Sequence, residues 1–121
     1  MLKIRRIDEG ARLLGLDIGR KFTGVAVASH DMKIAKGVKT LELKQYDSIG
    51  ELSRPLHNLI RKYRVKGIIV GYPLDDEDRP TSHCIYVKNF LDSLIGIKKP
   101  VTLINEYGST LRAKVKIAAA I

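Results

Sequence analysis

The segment from Leu13 to Ser29, LLGLDIGRKFTGVAVAS, constrains the fold of this chain most, because a carboxylate ends an apolar run and a glycine-spaced turn leads into a second one. The two runs predict a hairpin of antiparallel strands. A carboxylate in so apolar a strand is costly to bury alone, so Asp17 should meet a cation, a hydrogen-bond donor or solvent at a cleft. The pattern equally allows Asp17 to accept hydrogen bonds from the turn amides of Gly19 and Arg20.

Length and charge indicate a single basic domain over residues 1–121. Of the 121 residues, 45% are hydrophobic and 29% are charged, which is enough to bury a core. Lys and Arg number 22 against 13 Asp and Glu, and the formal net charge of +9 favours encounters with polyanions. Nucleic acid is therefore the first partner to expect, although a small basic domain can also bind polyanions only nonspecifically.

Cysteine content and hydropathy exclude several classes of protein. Cys84 is the only cysteine, so neither a disulfide framework within the chain nor a cysteine-based zinc site is expected. The sequence has no apolar run of 18 residues and no secretory signal at its start, which predicts that the protein has no membrane partner. The expected location is the cytoplasm, with an organelle as the open alternative.

Three more strands are predicted after the hairpin. Residues 33–43 alternate apolar side chains with Lys and Glu, a pattern that suits an edge strand. The continuous apolar run at 66–74 indicates a strand covered on both faces, and 100–106 forms the last strand. The order predicts an α/β fold, with a mixed five-stranded sheet that begins as an antiparallel meander, continues with parallel strands and is flanked by helices.

Helical periodicity predicts a helix after the third strand, another after the fourth and a third after the last. Ser48 and Glu51 have the spacing of a capping box at the start of the first helix. Thr81 or Ser82 is expected to cap the second helix. The inward face of that second helix is predicted to consist of Ile85, Phe90, Leu91, Leu94 and Ile95.

This topology brings Asp17, Asp75 and Glu106 to the C-terminal edge of the sheet, where ligands bind in open α/β folds. Asp17 and Glu106, two strands distant, would start roughly 10 Å apart. The longer Glu side chain closes part of that gap, and a metal pair about 4 Å apart could span the rest.

Three motifs carry a resemblance to a known family. The segments LLGLDIGRKFTGVAVAS, GIIVGYPLDDED and INEYGST resemble, in this order, the motifs of the YqgF/RuvX family of ribonuclease H-like proteins. Family members are described as Holliday junction resolvases or ribosomal RNA precursor nucleases. The resemblance implies phosphodiester hydrolysis with Mg²⁺ or Mn²⁺, with Asp17 and Glu106 as catalytic metal ligands. It also implies structured DNA or precursor rRNA as the substrate.

The chain departs from the family pattern at its third motif and beyond. The stretch from Asn105 to Thr110 keeps the Glu and the hydroxyls but lacks an Arg that could contact phosphate. No Asp or Glu follows Glu106, so the C-terminal helix is expected to be truncated and to lack the family's third carboxylate. Asp75 stands where the family has Asn, which makes it the candidate substitute and the third predicted catalytic residue. The residues Asp75 to Asp78 could instead form a solvated acidic turn.

Four residues are predicted to contact nucleic acid. They are two cations of the hairpin turn and two hydroxyls of the third motif, namely Arg20, Lys21, Ser109 and Thr110.

Two functional hypotheses remain, with the chain leaning toward an enzyme. A metal-dependent nuclease needs several carboxylates to hold its ions, whereas a noncatalytic nucleic-acid-binding relative needs only the basic surface. An ATP-binding domain of the actin and sugar-kinase type is disfavoured, because that fold closes two lobes around the nucleotide. The sequence leaves the oligomeric state open, with a dimer among the alternatives.

Overall fold

A computed structural model describes residues 12–29, 35–72 and 81–105, and these ranges contain a five-stranded mixed sheet in the order β3-β2-β1-β4-β5. The strands are β1 (Arg12–Ile18), β2 (Phe22–Ser29), β3 (Ala35–Glu42), β4 (Val65–Tyr72) and β5 (Val101–Asn105). β2 pairs antiparallel with β1 and β3, whereas β4 pairs parallel with β1 and β5. The predicted α/β architecture is confirmed, with the lysine-rich β3 at one edge.

Two α-helices lie between the later strands in the chain, α1 (Ser53–Tyr63) between β3 and β4, and α2 (Ser82–Ser93) between β4 and β5. The 3₁₀ turns Leu43–Gln45 and Ile49–Leu52 precede α1. Within the described ranges, no helix is long and apolar enough to span a membrane.

The two predicted helix caps have different outcomes. Thr81 caps α2 as predicted, since its Oγ1 accepts a hydrogen bond from the Cys84 amide at 3.3 Å. The capping box at Ser48 and Glu51 is wrong, because the Ser48 side chain makes no capping hydrogen bond. The amide of Glu51 donates instead to the Ser48 carbonyl oxygen at 3.1 Å, which closes a 3₁₀ turn.

The main core lies between the sheet and the two helices. Leu14, Leu16 and Ile18 of β1 enter it on one face of the sheet. The helices contribute buried apolar residues to the same cluster, namely Leu56, Ile60, Val87 and Phe90. On the opposite face, Ala26 and Ile69 are buried in a smaller cluster with Leu13 and Ile104. The period-two alternation of the strands produces this division.

The predicted inward face of α2 is partly wrong. Phe90 is fully buried, but Ile85 and Ile95 are 61% and 69% exposed. The helix buries Cys84, Val87 and Phe90 instead, a spacing of three residues that turns Ile85 toward solvent. Ile95 lies beyond the end of α2 at Ser93, and its backbone amide donates to the Ser53 hydroxyl oxygen at 2.7 Å.

Thr23 provides a test of this packing. It is fully buried, and its hydroxyl has no hydrogen-bond partner in the described part of the chain. Burying a hydroxyl without a partner is unfavourable, so Thr23→Val should raise the free energy of unfolding by about 1 kcal/mol. Urea unfolding followed by circular dichroism measures the change. Thr102→Val, at an exposed position of β5, is the matched control and should stay within about 0.5 kcal/mol of the unaltered chain. A less stable Thr23→Val variant would contradict this account.

Candidate active site

Asp17 is the next-to-last residue of β1 and is partly buried. Its neighbours Leu16 and Ile18 are buried in the main core, so alternation puts the Asp17 side chain on the opposite face of the sheet, away from α1 and α2. β1 is also the central strand, paired with β2 on one side and β4 on the other. Asp17 therefore lies near the C-terminal end of the strand where the sheet changes from antiparallel to parallel pairing, which is the type of position where α/β folds bind ligands.

Glycines flank Asp17 on both neighbouring strands. Gly24 of β2 is its register partner. On β4, Gly71 follows Val70, which is paired with Leu16. Neither glycine adds a side chain next to Asp17 along the strand-pairing direction. Glycine within a strand is typical of places where a ligand or another backbone approaches closely.

The turn after β1 is tight and requires glycine. The amide of Gly19 donates to the carbonyl oxygen of Phe22 at 2.9 Å. A Cβ atom at position 19 would lie 2.7 Å from that same oxygen, closer than a side-chain carbon can approach. Arg20 and Lys21 belong to this turn, and both cations are exposed.

Helix α2 holds this turn through backbone carbonyl groups. The Nε2 atom of His83 donates to the Ile18 carbonyl oxygen at 2.8 Å. The Tyr86 hydroxyl donates to the Gly19 carbonyl oxygen at 3.3 Å. The two rings stack with centroids 5.6 Å apart and planes at 27°. The backbone on the C-terminal side of Asp17 is thus positioned by two aromatic side chains.

Tyr86 also positions Arg20, one of the residues predicted to contact nucleic acid. The Cζ atom of Arg20 lies 4.7 Å from the Tyr86 ring centroid, within the range of a cation–π interaction. This contact restricts the guanidinium before any ligand arrives, and a restricted Arg loses less entropy when it binds phosphate. Sequence reasoning identified Arg20 but missed His83 and Tyr86, because the contacts span 65 and 67 residues.

The predicted site residues divide into two groups. Asp17, Arg20 and Lys21 lie together at the end of β1 and in its turn. Four others, Asp75, Glu106, Ser109 and Thr110, lie outside the described residues, and their roles stay predictions. The predicted strand spacing is confirmed, since β4 lies between β1 and β5 and these two strands are therefore two positions apart in the sheet.

The donor set fits a divalent cation only in part. Within 12–29, 35–72 and 81–105, no three side chains of His, Cys, Asp or Glu converge on one point. Mg²⁺ is commonly held by only one or two carboxylates, with water and substrate oxygens filling the remaining positions. Asp17 thus suits one protein ligand of such an ion, and further carboxylates would come from residues outside these ranges.

Comparison with solved structures defines the class of protein first. The fold is similar to Thermus thermophilus RuvC in complex with a Holliday junction substrate, with a TM-score of 0.53 and 13% sequence identity. The similarity covers 79% of this chain and 65% of that structure, so this chain spans less than two thirds of its length. A second Thermus thermophilus RuvC structure gives a TM-score of 0.51. At this identity the likeness concerns the fold alone, which is ribonuclease H-like.

Sequence comparison then identifies the family. The model described as RuvX, Holliday junction resolvase, matches residues 11–120, and the chain belongs to this family. A relative from Dictyoglomus thermophilum is 32% identical over 107 residues, which cover 85% of this chain and 73% of that protein. A relative from Mycoplasma mobile is 28% identical over 107 residues, covering 88% and 74%. Both bear the name "Putative pre-16S rRNA nuclease".

The contact between α2 and the turn can be tested by substitution. His83→Ala removes the donor to the partly buried Ile18 carbonyl and should lower the free energy of unfolding by about 1–3 kcal/mol. Asn89→Ala, at an exposed position of the same helix, is the control and should change stability by no more than about 0.5 kcal/mol. Equal stability of the two variants in urea unfolding would show that His83 does not support the turn.

Proposed function

We propose that this chain is a metal-dependent nuclease that hydrolyses phosphodiester bonds in structured nucleic acid, acting as one ribonuclease H-like domain over residues 1–121. One observation carries the proposal. In a chain of the RuvX family, Asp17 lies at the C-terminal end of the central strand, between Gly24 and Gly71, beside a cationic turn. A carboxylate at the end of the central strand, with glycines on the neighbouring strands and exposed cations in the following turn, suits a phosphate that arrives with a divalent ion.

The roles of the residues follow from their chemistry. Asp17 and Glu106 would hold Mg²⁺ or Mn²⁺, and the bound ion would supply positive charge at the reacting phosphate and an activated water. Arg20 and Lys21 would neutralise phosphates flanking the reacting one, with Arg20 presented by its contact with Tyr86. Ser109 and Thr110 would add hydrogen bonds to the backbone of the nucleic acid.

The names of the relatives and of the family suggest two candidate substrates. The curated relatives are named for pre-16S rRNA, so a ribosomal RNA precursor is the first candidate. The family description names Holliday junctions, which makes four-way DNA the second candidate. The net charge of +9 supports nucleic-acid binding in either case. The cytoplasmic location stays a prediction.

The first experiment concerns the metal. Asp17→Asn keeps the size of the side chain and removes its charge, so it should weaken Mn²⁺ binding by at least about tenfold and abolish metal-dependent cleavage of both candidate substrates. Calorimetric titration with Mn²⁺ and a gel assay of cleavage measure the two effects. Asp92→Asn, at an exposed position of α2, is the control and should leave both properties unchanged.

Three outcomes separate the hypotheses. Equal Mn²⁺ affinity in the Asp17→Asn and Asp92→Asn variants would exclude Asp17 as a ligand. Binding of nucleic acid by the unaltered chain without any cleavage would favour the noncatalytic relative. Cleavage that persists in Asp17→Asn would overturn the proposed site.

The third carboxylate is the subject of the second experiment. We infer that Asp75 takes this role, because it follows the apolar run of β4 in the sequence. In the sheet, β4 lies between β1, which contains Asp17, and β5, which ends immediately before Glu106. Asp75→Asn should then abolish metal-dependent cleavage, whereas Asp78→Asn, farther along the acidic segment, should leave it intact. Equal activity of these two variants would remove Asp75 from the site and favour a solvated acidic turn.

A further inference from the structure

We propose that Phe22 is a stacking platform for an unpaired base of the bound nucleic acid, adjacent to the phosphate at Asp17. This inference rests on the proposed function and narrows its substrate class. The preferred ligand would have at least one unstacked nucleotide beside the reacting phosphate, as single strands, loops and junctions do, and as a continuous duplex does not.

The position of Phe22 relative to Asp17 supports this role. Asp17 is the register partner of Gly24, and Phe22 lies two residues before Gly24 on β2. The period of two puts Phe22, Gly24 and Asp17 on the same face of the sheet, opposite the helices. Diagonal neighbours of this kind are about 7–8 Å apart, within reach of an aromatic side chain. A nucleotide whose phosphate lies at Asp17 can therefore extend its base to Phe22.

The exposure of Phe22 is unusual for its neighbourhood. The ring is 49% exposed, whereas the next six residues of β2 are all buried. A single exposed apolar side chain can be incidental. Phe22, however, lines a recess of about 470 Å³, a volume that can receive a planar base. Its other lining residues are Arg20, Lys21, Glu42, Leu43 and Lys44.

Charge complementarity indicates the chemistry of the occupant. Three of the six side chains around the recess are cationic, and its one carboxylate, Glu42, lies 3.5 Å from the Lys44 ammonium. An aromatic surface surrounded by Lys and Arg is the arrangement by which proteins hold single-stranded nucleic acid, with bases on the ring and phosphates on the cations. An uncharged apolar ligand would use the ring alone and leave the cations without a role.

Binding measurements with the 121-residue chain test the proposal. The probes are a fluorescent single-stranded 12-mer and the same sequence as a duplex, titrated at several salt concentrations. Phe22→Ala should weaken single-strand binding by roughly 5- to 150-fold, as expected when one stacked base is lost, and change duplex binding by less than about twofold. The salt dependence should not change, because no charge is removed. Lys21→Ala should instead reduce the salt slope by about one phosphate contact.

Ile95→Ala is the matched control, because Ile95 is 69% exposed and lies beyond the end of α2 rather than in the hairpin. It should leave the affinities for both probes unchanged. RNA and DNA single strands are compared as separate arms, since stacking alone does not distinguish the sugars.

A spectroscopic readout keeps the proposal testable even where affinity changes are small. The chain contains no Trp, so Phe22→Trp introduces its only indole. A single strand should bind this variant at least as tightly as the unaltered chain and quench the indole fluorescence by stacking on it. Ile95→Trp, the control, should show no quenching at the same saturation.

The outcomes distinguish the inference from the proposed function. If the unaltered chain binds the single strand but Phe22→Ala behaves like Ile95→Ala, or Phe22→Trp is not quenched, the stacking role is refuted and the proposed function stands. If the unaltered chain binds neither probe at low salt, the proposed function itself fails. Weaker single-strand binding by Phe22→Ala together with quenching in Phe22→Trp supports the platform.

Discussion

Along β1, successive side chains point to opposite faces of the sheet, so Leu14, Leu16 and Ile18 are buried beneath the helices while Asp17 lies on the other face. The strand must keep this register, because a slip of one residue would move Asp17 into the core and expose three large apolar side chains. The burial of those side chains therefore also determines where the carboxylate lies. Stability and the candidate site depend on the same alternation.

The hairpin turn is positioned by a distant part of the chain. His83 and Tyr86 donate to the backbone carbonyl groups of Ile18 and Gly19, and Tyr86 also contacts the Arg20 guanidinium. Because the hydrogen bonds reach backbone rather than side chains, they do not depend on the side chains of the turn, where only Gly19 is required by space. The burial of Val87 and Phe90 orients α2, so core packing on one face of the sheet sets the location of a cation at its edge.

Sequence patterns predicted most of the fold and only part of the candidate site. The sheet was predicted from apolar runs and from the order of strands and helices along the chain, which are local properties, and Asp17 stood out because a carboxylate ends such a run. Ile85 was assigned to the wrong face, since periodicity in a short helix does not reveal which residues face the sheet. His83 and Phe22 were missed for different reasons. The role of His83 depends on a contact across 65 residues, and an aromatic side chain at the start of a strand is expected to be buried.

The mixed pairing of the central strand has a consequence for folding kinetics. β1, β2 and β3 are consecutive between Arg12 and Glu42, so their pairing needs only short loops to close. β4 joins β1 across an intervening helix, and β5 follows after another, which raises the entropy of closure. We expect the meander to form early and the parallel strands to add later. Changes in β1 and β2 would then act mainly on the rate of folding, whereas changes in β5 would act mainly on the rate of unfolding.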